Sequence, residues 1–138
     1  MTEYIPTYPD LAGKVAVVTG GSGGIGAATC SLLAANGMRV AVNGRDETKI
    51  GTVVDEIGSN GGRAIGIAAN LTDFAAVERM RRRVEEELGL VDVLAAFAGG
   101  GRMGTPEDVA LATLFLASES SSWITGVTMG VAVGQIMV

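Results

Sequence analysis

The sequence predicts an α/β fold in which a doubly wound parallel sheet carries helices on both faces. Three observations support this prediction. Apolar, β-branched runs without alternation recur along residues 14–97, as in strands that are buried on both faces. Stretches with apolar residues at helical spacing separate these runs. The connections between them are short, which is typical of βαβ units.

Strands and helices alternate throughout this region. Gly37 is placed to end the first helix, and the Asn-Gly-Gly run at 60–62 to end the second. Right-handed crossovers between parallel strands then favour the strand order 3-2-1-4. The expected elements, in chain order, are a strand at 14–19, a helix at 24–36, a strand at 38–43, a helix at 46–59, a strand at 64–68, a helix at 73–88 and a strand at 91–97.

A further helix is predicted after the glycines at 99–101. Thr105 suits its N-cap and Pro106 its first position, and the helix should run to about Ala117. We expect a last strand at 126–133 beside the fourth strand, and a right-handed return would place the last helix on the same face as the helix at 73–88. The predicted organisation is a single domain over 1–138, with a tail at 1–12, a βαβ core at 14–98 and a C-terminal helix and strand at 104–138.

The composition excludes several kinds of site and partner. The 138 residues include no histidine and one cysteine, Cys30. Without histidine, the usual His/Cys zinc sites and the Ser–His and Cys–His nucleophile pairs are ruled out, and we expect no metal. A net charge of −5 argues against nucleic acid or an anionic membrane as a partner. A lone cysteine excludes an internal disulfide and fits a cytoplasmic location.

The connection between the first strand and the first helix is rich in glycine. Residues 19–26 read Thr-Gly-Gly-Ser-Gly-Gly-Ile-Gly. A pyrophosphate is best held where unpaired backbone N–H groups and the positive end of a helix dipole point at it, and side chains would block that approach. Between a strand and a helix, the pattern predicts a Rossmann-type dinucleotide site rather than a flexible loop. The expected cofactor contacts are Gly20, Ser22, Gly23, Gly24, Ile25 and Gly26.

Three of these glycines have distinct expected roles. Gly20 would make the turn, Gly24 would let the backbone approach the phosphates, and Gly26 would let the helix sit close to the sheet. Ser22 would add a hydroxyl donor, and Ile25 would anchor the first turn of the helix.

This loop resembles the Thr-Gly-x-x-x-Gly-Ile-Gly signature of the short-chain dehydrogenase/reductase family, and the similarity extends along nearly the whole chain. Residues 70–73 (Asn-Leu-Thr-Asp) resemble the family's Asp-x-Thr-Asp motif. That resemblance implies cofactor contacts from Asn70 and Leu71 at the adenine, with asparagine in the place of the usual aspartate. The family's activity implies an NAD(P)-dependent oxidoreductase of alcohols and carbonyls.

Later segments carry the same resemblance. Residues 96–100 (Ala-Phe-Ala-Gly-Gly) resemble the family's Asn-Asn-Ala-Gly motif, which implies that Ala98 and Gly99 contact the cofactor. Two asparagines of the motif are replaced by Ala96 and Phe97, so the nicotinamide end departs more from the family than the adenosine end. Residues 101–126 resemble the family's C-terminal helix and the start of its last strand.

The end of the second strand faces the adenosine ribose and bears on the choice between NAD and NADP. An acidic residue there would bind the ribose 2′-hydroxyl and repel a 2′-phosphate. The chain has Asn43, Gly44 and Arg45 instead, and Arg45 can hold a phosphate with a planar fork of donors. Asp46 is either a helix N-cap or a ribose contact. We therefore expect NADP(H) to be favoured over NAD(H).

The residues that carry the family's reaction are missing. The family uses a Tyr-x-x-x-Lys pair and a serine, because a tyrosine needs a cation beside it to exchange a proton near neutral pH. The only tyrosines here are Tyr4 and Tyr8, and the only lysines are Lys14 and Lys49. Relative to the family, the chain passes from the glycines after the fourth strand directly to its C-terminal helix. We therefore assign no catalytic residue.

The remaining clusters have structural explanations. Arginines at 81–83 and glutamates at 85–87 form three i,i+4 pairs, which indicate a solvated helix face. The pairs are Arg81–Glu85, Arg82–Glu86 and Arg83–Glu87. Cys30 is expected to serve packing rather than act as a reactive thiol, and Trp123 to be a core or interface anchor.

Two functions of different classes remain open. The chain is either a catalytically incomplete NADP(H)-binding member of the oxidoreductase family, or a non-enzymatic nucleotide-binding or oligomerisation module that pairs with a full-length relative. A third interpretation is catalysis by an unrecognised site, which a dimer could complete. The fourth strand and the apolar segment 127–138 would leave a sheet edge or an apolar surface open, so we expect a homo-oligomer.

Overall fold

The computed structural model describes residues 4–97 and 106–125, apart from the side chain of Asp108. The four strands predicted within residues 14–97 and the four predicted helices are present. Among the described residues, no helix is long and apolar enough to span a membrane. The elements are β1 (Val15–Thr19), α1 (Gly24–Ala35), β2 (Arg39–Gly44), α2 (Glu47–Ser59), β3 (Arg63–Ala68), α3 (Phe74–Glu87), β4 (Val93–Ala96) and α4 (Pro106–Ala117).

The four strands form one parallel sheet in the order β3-β2-β1-β4, which confirms the predicted fold class and strand order. Val15 pairs with Arg39 of β2, and Thr19 pairs with Ala96 of β4. All five residues of β1 are buried, as its unbroken apolar run predicts. The carboxyl ends of the strands therefore meet at one edge of the sheet, where the glycine-rich loop begins. The predicted strand at 126–133 lies outside the described residues.

Helices cover both faces of the sheet. On one face, α1 and α2 pack against the strands through Leu33 and Val53. On the other face, α3 contributes Met80 and Val84, and Leu88 follows directly after the helix. Adjacent residues of a strand point to opposite faces, so β1 contributes side chains to the cores on both sides of the sheet.

The position of α4 differs from the prediction. We expected α4 on the face of α3, but it packs beside α1 on the opposite face, where Leu114 is fully buried. The prediction used the handedness of a crossover to the strand at 126–133, which lies outside the described residues. Packing determines the position instead. The start of α4 at Pro106 shares a cleft with the small residues Ala27 and Ala28 of α1, and burying a leucine contributes about 1.5–3 kcal/mol.

Part of the predicted N-terminal tail belongs to the folded unit. A 3-10 turn spans Pro9–Leu11, and Leu11 is fully buried in the core on the α1 face. The Tyr8 amide donates to Asn36 Oδ1 at 2.7 Å, beyond the last residue of α1. Asp10 Oδ2 accepts from the Glu119 amide at 2.8 Å, which joins this turn to the residues after α4.

Several large apolar side chains remain exposed. Leu94 of β4 is 66% exposed on the side of the sheet that α3 covers elsewhere, and the preceding Leu90 is 77% exposed. Trp123 is 97% exposed. The prediction of a core role for Trp123 is therefore wrong, and its role as an interface anchor stays a prediction.

Candidate functional site

The glycine-rich loop joins the end of β1 to the start of α1. The backbone turns at Gly20, which has a positive φ of 64°, and α1 begins at Gly24, with a φ of 52°. Gly23 precedes the helix in an extended conformation, and no side chain caps this N-terminus. The first amides of a helix have no acceptor within it. These N–H groups and the positive end of the helix dipole are therefore available to an anion.

The outer side of this loop is open, because a Cβ added at Gly23 or Gly24 would meet no atom within 4 Å. The inner side is tightly packed. A Cβ on Gly26 would overlap the Gly20 carbonyl oxygen and lie 2.6 Å from its carbonyl carbon. Gly26 thus allows α1 to pack against the loop itself rather than directly against the sheet. Ile25, predicted to anchor the helix, is only half-buried and lies in neither core cluster.

Gly21 has a role that sequence reasoning missed. A Cβ there would lie 3.0 Å from the Val18 carbonyl oxygen and 3.1 Å from both Cys30 Sγ and a Val42 methyl group. Gly21 therefore fills the point where β1, α1 and β2 meet beneath the loop. Only its place in the glycine run could have indicated this, and that place does not distinguish it from its neighbours.

Cys30 supports the loop from below. Its side chain is fully buried, with Sγ 3.8 Å from the Gly21 carbonyl oxygen. Burial raises the pKa of the thiol to about 12, so it stays protonated near neutral pH. The packing role predicted for Cys30 agrees with these observations. Its location in a reducing cytoplasm stays a prediction.

The end of β2 lies against the loop. A Cβ on Gly44 would be 2.6 Å from Ser22 Oγ and 3.1 Å from Ser22 Cβ, so the serine side chain packs directly on this glycine. Arg45 follows with an exposed side chain. Among the described residues, no ion pair includes Arg45. A hydroxyl and a guanidinium therefore lie close to the strand end at which an acidic residue is absent.

Asp46 is a helix cap, the first of its two predicted roles. Its Oδ1 accepts from the amides of Thr48 at 3.0 Å and Lys49 at 3.1 Å, which satisfies two donors in the first turn of α2. The Asp46 carboxylate directly follows Arg45 in the chain, but its hydrogen bonds are with backbone amides of α2. The ribose contact considered for Asp46 finds no support in these contacts.

The residues that follow β3 lie at the same edge of the sheet. Asn70 and Leu71 are both exposed there. Asn70 Oδ1 accepts from the Thr72 amide at 3.0 Å and its hydroxyl at 2.8 Å, so the side chain shapes the turn that leads into α3. Within residues 4–97 and 106–125, Asn70 Nδ2 donates no hydrogen bond.

The end of β4 is tied to the end of β1. The Phe97 amide donates to Thr19 Oγ1 at 3.1 Å, and Thr19 is buried. This hydrogen bond holds the two strand ends together although Ala96 and Phe97 have replaced the family's asparagines. Ala98 and Gly99, predicted to contact the cofactor, lie outside the described residues.

The tyrosines and lysines described do not form a catalytic group at this edge. The Tyr8 amide binds Asn36 at the far end of α1, and Lys14 precedes β1. α1 has 12 residues, so its two ends are about 18 Å apart. Lys49 is exposed in the first turn of α2. No group of three metal-ligating side chains occurs in the part of the chain that the structure describes.

The charged face of α3 is paired, with one difference from the prediction. Arg81 lies 2.7 Å from Glu85, and Arg83 lies 3.1 Å from Glu87. Arg82 lies 3.7 Å from Glu78, so the predicted Arg82–Glu86 pair is wrong. Glu78 is one turn towards the N-terminus, where it contacts Arg81 as well. Exposed pairs of this kind contribute little to stability, and they indicate a solvated face.

Comparisons with known proteins agree with this architecture. A short chain dehydrogenase of Pseudocercospora fijiensis is 45% identical over 103 residues, which are 72% of this chain and 33% of that protein. A crystal structure of a metagenomic short-chain oxidoreductase in complex with NADP matches with a TM-score of 0.62 and 35% identity, covering 80% of this chain and 57% of that chain. The crystal structure of a hydroxysteroid dehydrogenase from Escherichia coli matches with a TM-score of 0.80 over 84% of this chain and 94% of that chain, and at 20% identity it shows the fold alone.

The chain spans about a third of the length of the first curated relatives that it matches, 33% and 38%. The family model for short chain dehydrogenases nevertheless matches residues 14–129, from the first strand to beyond α4. The glycine-rich loop between β1 and α1, the 3-2-1-4 sheet and this match agree with one another, and the chain belongs to the short-chain dehydrogenase/reductase family.

Proposed function

We propose that the chain binds a nicotinamide dinucleotide at the carboxyl edge of its sheet. The observation that carries this proposal is the uncapped N-terminus of α1, which begins at Gly24 beside an open glycine surface. Backbone amides of Gly24, Ile25 and Gly26 would hold the pyrophosphate there, with help from the helix dipole. Ser22 and Gly23 would complete the rim. Asn70 and Leu71 are exposed where the adenine would lie.

The proposed cofactor is NADP(H) in preference to NAD(H). The position at the end of β2 is Gly44, and Ser22 occupies the space into which its side chain would extend. A 2′-phosphate would therefore meet a hydroxyl and the Arg45 guanidinium, and no carboxylate would repel it. Asp46 lies next along the chain, but its Oδ1 is engaged by the α2 amides.

In this proposal, the chain binds the dinucleotide but does not complete the family's reaction by itself. When bound, the cofactor supplies a hydride donor or acceptor for an alcohol or a carbonyl. The proton that accompanies the hydride needs an acid–base group, and the two tyrosines of the chain are Tyr4 and Tyr8. Tyr8 lies at the opposite edge of the sheet, beside Asn36. In this proposal the chain's own residues bind and orient the cofactor, and neither tyrosine exchanges a proton with the reacting oxygen.

A titration with NADPH tests the binding proposal. We expect saturable enhancement of nicotinamide fluorescence with a dissociation constant below about 1 mM. At 1 mM the standard free energy of binding is about −4.1 kcal/mol. Gly24→Ala should weaken binding at least about tenfold, because the added methyl group strains a positive φ and covers the approach to the amides. The control is Gly61→Ala, since Gly61 has a φ of 82° and equally open surroundings but lies in the turn after α2. Absence of saturation with the wild type, or equal loss in both variants, would contradict the proposal.

A second proposed role is as an oligomerisation module, in a homo-oligomer or with a full-length relative. The specific observation is the exposed apolar surface of β4 and the preceding loop, at Leu94 and Leu90. Among the described residues β4 is the edge strand of the sheet, and exposed apolar residues at such an edge commonly mark an interface. Light scattering should show a dimer or a larger assembly at micromolar concentration, and Leu94→Glu should shift it towards the monomer. A wild-type monomer under these conditions would contradict self-association.

A further inference from the structure

Asn43 is a buried polar residue at the end of an otherwise apolar stretch. Its side chain is 2% exposed, and it follows Val40, Ala41 and Val42, all of them buried. Burying an amide costs free energy unless its hydrogen bonds are replaced. The amide nitrogen Nδ2 donates to the Ile67 carbonyl oxygen at 3.1 Å and lies 3.5 Å from the Ala69 carbonyl oxygen.

The backbone pairing of β2 with β3 does not require this amide. The ladder runs from Arg39 opposite Arg63 to Gly44 opposite Ala68. It continues beyond the strands, because the Ala69 amide donates to the Gly44 carbonyl oxygen at 3.2 Å. An apolar residue at position 43 would therefore leave the ladder in place. The asparagine adds a further connection to the segment that leaves β3.

The same residue also contacts the glycine-rich loop. The Gly21 amide donates to the Asn43 carbonyl oxygen at 2.8 Å. Asn43 is thus linked through its main chain to the loop after β1 and through its side chain to the segment after β3. Ala69 immediately precedes Asn70 and Leu71, the residues proposed for the adenine. Arg45, proposed for the 2′-phosphate, is two positions further along the chain.

We propose that Asn43 is a positioning residue that sets the separation between the phosphate loop and the adenine-side segment. This inference rests on the proposed dinucleotide site. Asn43 itself is buried, so its proposed action is indirect. It holds Ala69, and with it the start of the Asn70 turn, in the place that the adenosine requires. A site held in its bound geometry binds more tightly, because less ordering is needed on association.

Asn43→Asp tests the inference, with Asn36→Asp as its matched control. Aspartate has the shape of asparagine but cannot donate, so its carboxylate would face the carbonyl oxygens of Ile67 and Ala69. Asn36 is another buried asparagine, whose Nδ2 donates to the carbonyl oxygens of Pro6 and Leu32, each at 3.1 Å, at the far end of α1. Both variants lose two donors from a buried amide, but only one of them lies near the proposed site.

The probes are NADPH and adenosine 2′,5′-bisphosphate. Each is titrated into the 138-residue protein, whose folded fraction is measured by circular dichroism. We expect Asn43→Asp to weaken both probes about tenfold, and Asn36→Asp to bind both as the wild type does even if it loses similar stability. If Asn43→Asp does not fold, Asn43→Ser replaces it, because the serine hydroxyl can restore one donor. On a logarithmic scale, we expect its affinity for the probes to fall by about half as much as that of Asn43→Asp.

The outcomes separate the two proposals. Wild-type protein that binds neither probe would overturn the dinucleotide site and this inference with it. Wild-type protein that binds both probes, together with a folded Asn43 variant of unchanged affinity, would overturn the positioning role alone. Equal losses in the Asn43 and Asn36 variants would also overturn it, because the effect would then follow general destabilisation.

Discussion

Gly26→Ala is expected to destabilise the fold by about 3 kcal/mol or more and to abolish dinucleotide binding. The added methyl group would overlap the Gly20 carbonyl oxygen and lie 2.9 Å from the Gly21 Cα. These are backbone atoms, so they cannot move aside as the end of a flexible side chain can. Gly21 is further held by its hydrogen bond to Asn43 at 2.8 Å. Relief therefore requires the loop to separate from α1, which would displace the amides that we propose for the phosphates.

Urea denaturation followed by circular dichroism measures the effect, and Gly51→Ala is its control. Gly51 lies within α2, and a Cβ there would meet no atom within 4 Å. Alanine loses less backbone entropy in a helix than glycine, so this second variant should gain about 0.5–1 kcal/mol of stability. The same methyl addition thus has opposite expected signs at the two positions. A loss below about 1 kcal/mol for Gly26→Ala would show that the loop adapts and that the close contact does not constrain it.

The sheet and the first three helices could be predicted from the sequence because local patterns determine them. The unbroken apolar run in β1 requires burial on both faces, and the period of Met80 and Val84 requires one buried face in α3. Parallel strands with short connections then allow few arrangements. The loop could also be predicted from the local sequence. Glycine adopts a positive φ readily, and Gly20 and Gly24, which both have one, stand between a strand and a helix.

The position of α4 could not be predicted in the same way. Its apolar residues Ala110 and Leu114 indicate a buried side, but the sequence does not specify which face of the sheet receives it. That choice depends on contacts between residues far apart in the chain. The packing role of Gly21 and the contact between Ser22 and Gly44 are tertiary features of this kind. The ion pairs of α3 were likewise not fully predictable from the sequence. Arg82 has a carboxylate within one turn on either side, and its contact is with Glu78.

A double variant, Gly44→Asp with Ser22→Gly, is expected to reverse the cofactor preference from NADPH to NADH. Aspartate alone would place its Cβ 2.6 Å from Ser22 Oγ, so removal of the serine side chain provides the space. A carboxylate at this strand end would accept a hydrogen bond from the ribose 2′-hydroxyl of NADH and repel the 2′-phosphate of NADPH. We expect NADPH to bind about a hundredfold more weakly than to the wild type, a change of about 2.7 kcal/mol.

The single variant Ser22→Gly is the matched control, because it removes the hydroxyl without adding a charge. Its affinity for NADPH should fall by less than about tenfold, because only one neutral hydrogen bond is lost. Its affinity for NADH should be nearly unchanged. Parallel fluorescence titrations of both dinucleotides give the ratio of their dissociation constants for each protein. A double variant whose affinity for NADPH equals that of the wild type would mean that the 2′-phosphate is bound elsewhere than at the end of β2. In that case Arg45, which directly follows Gly44, would lose its proposed role as well, because that role was assigned from its place at this strand end.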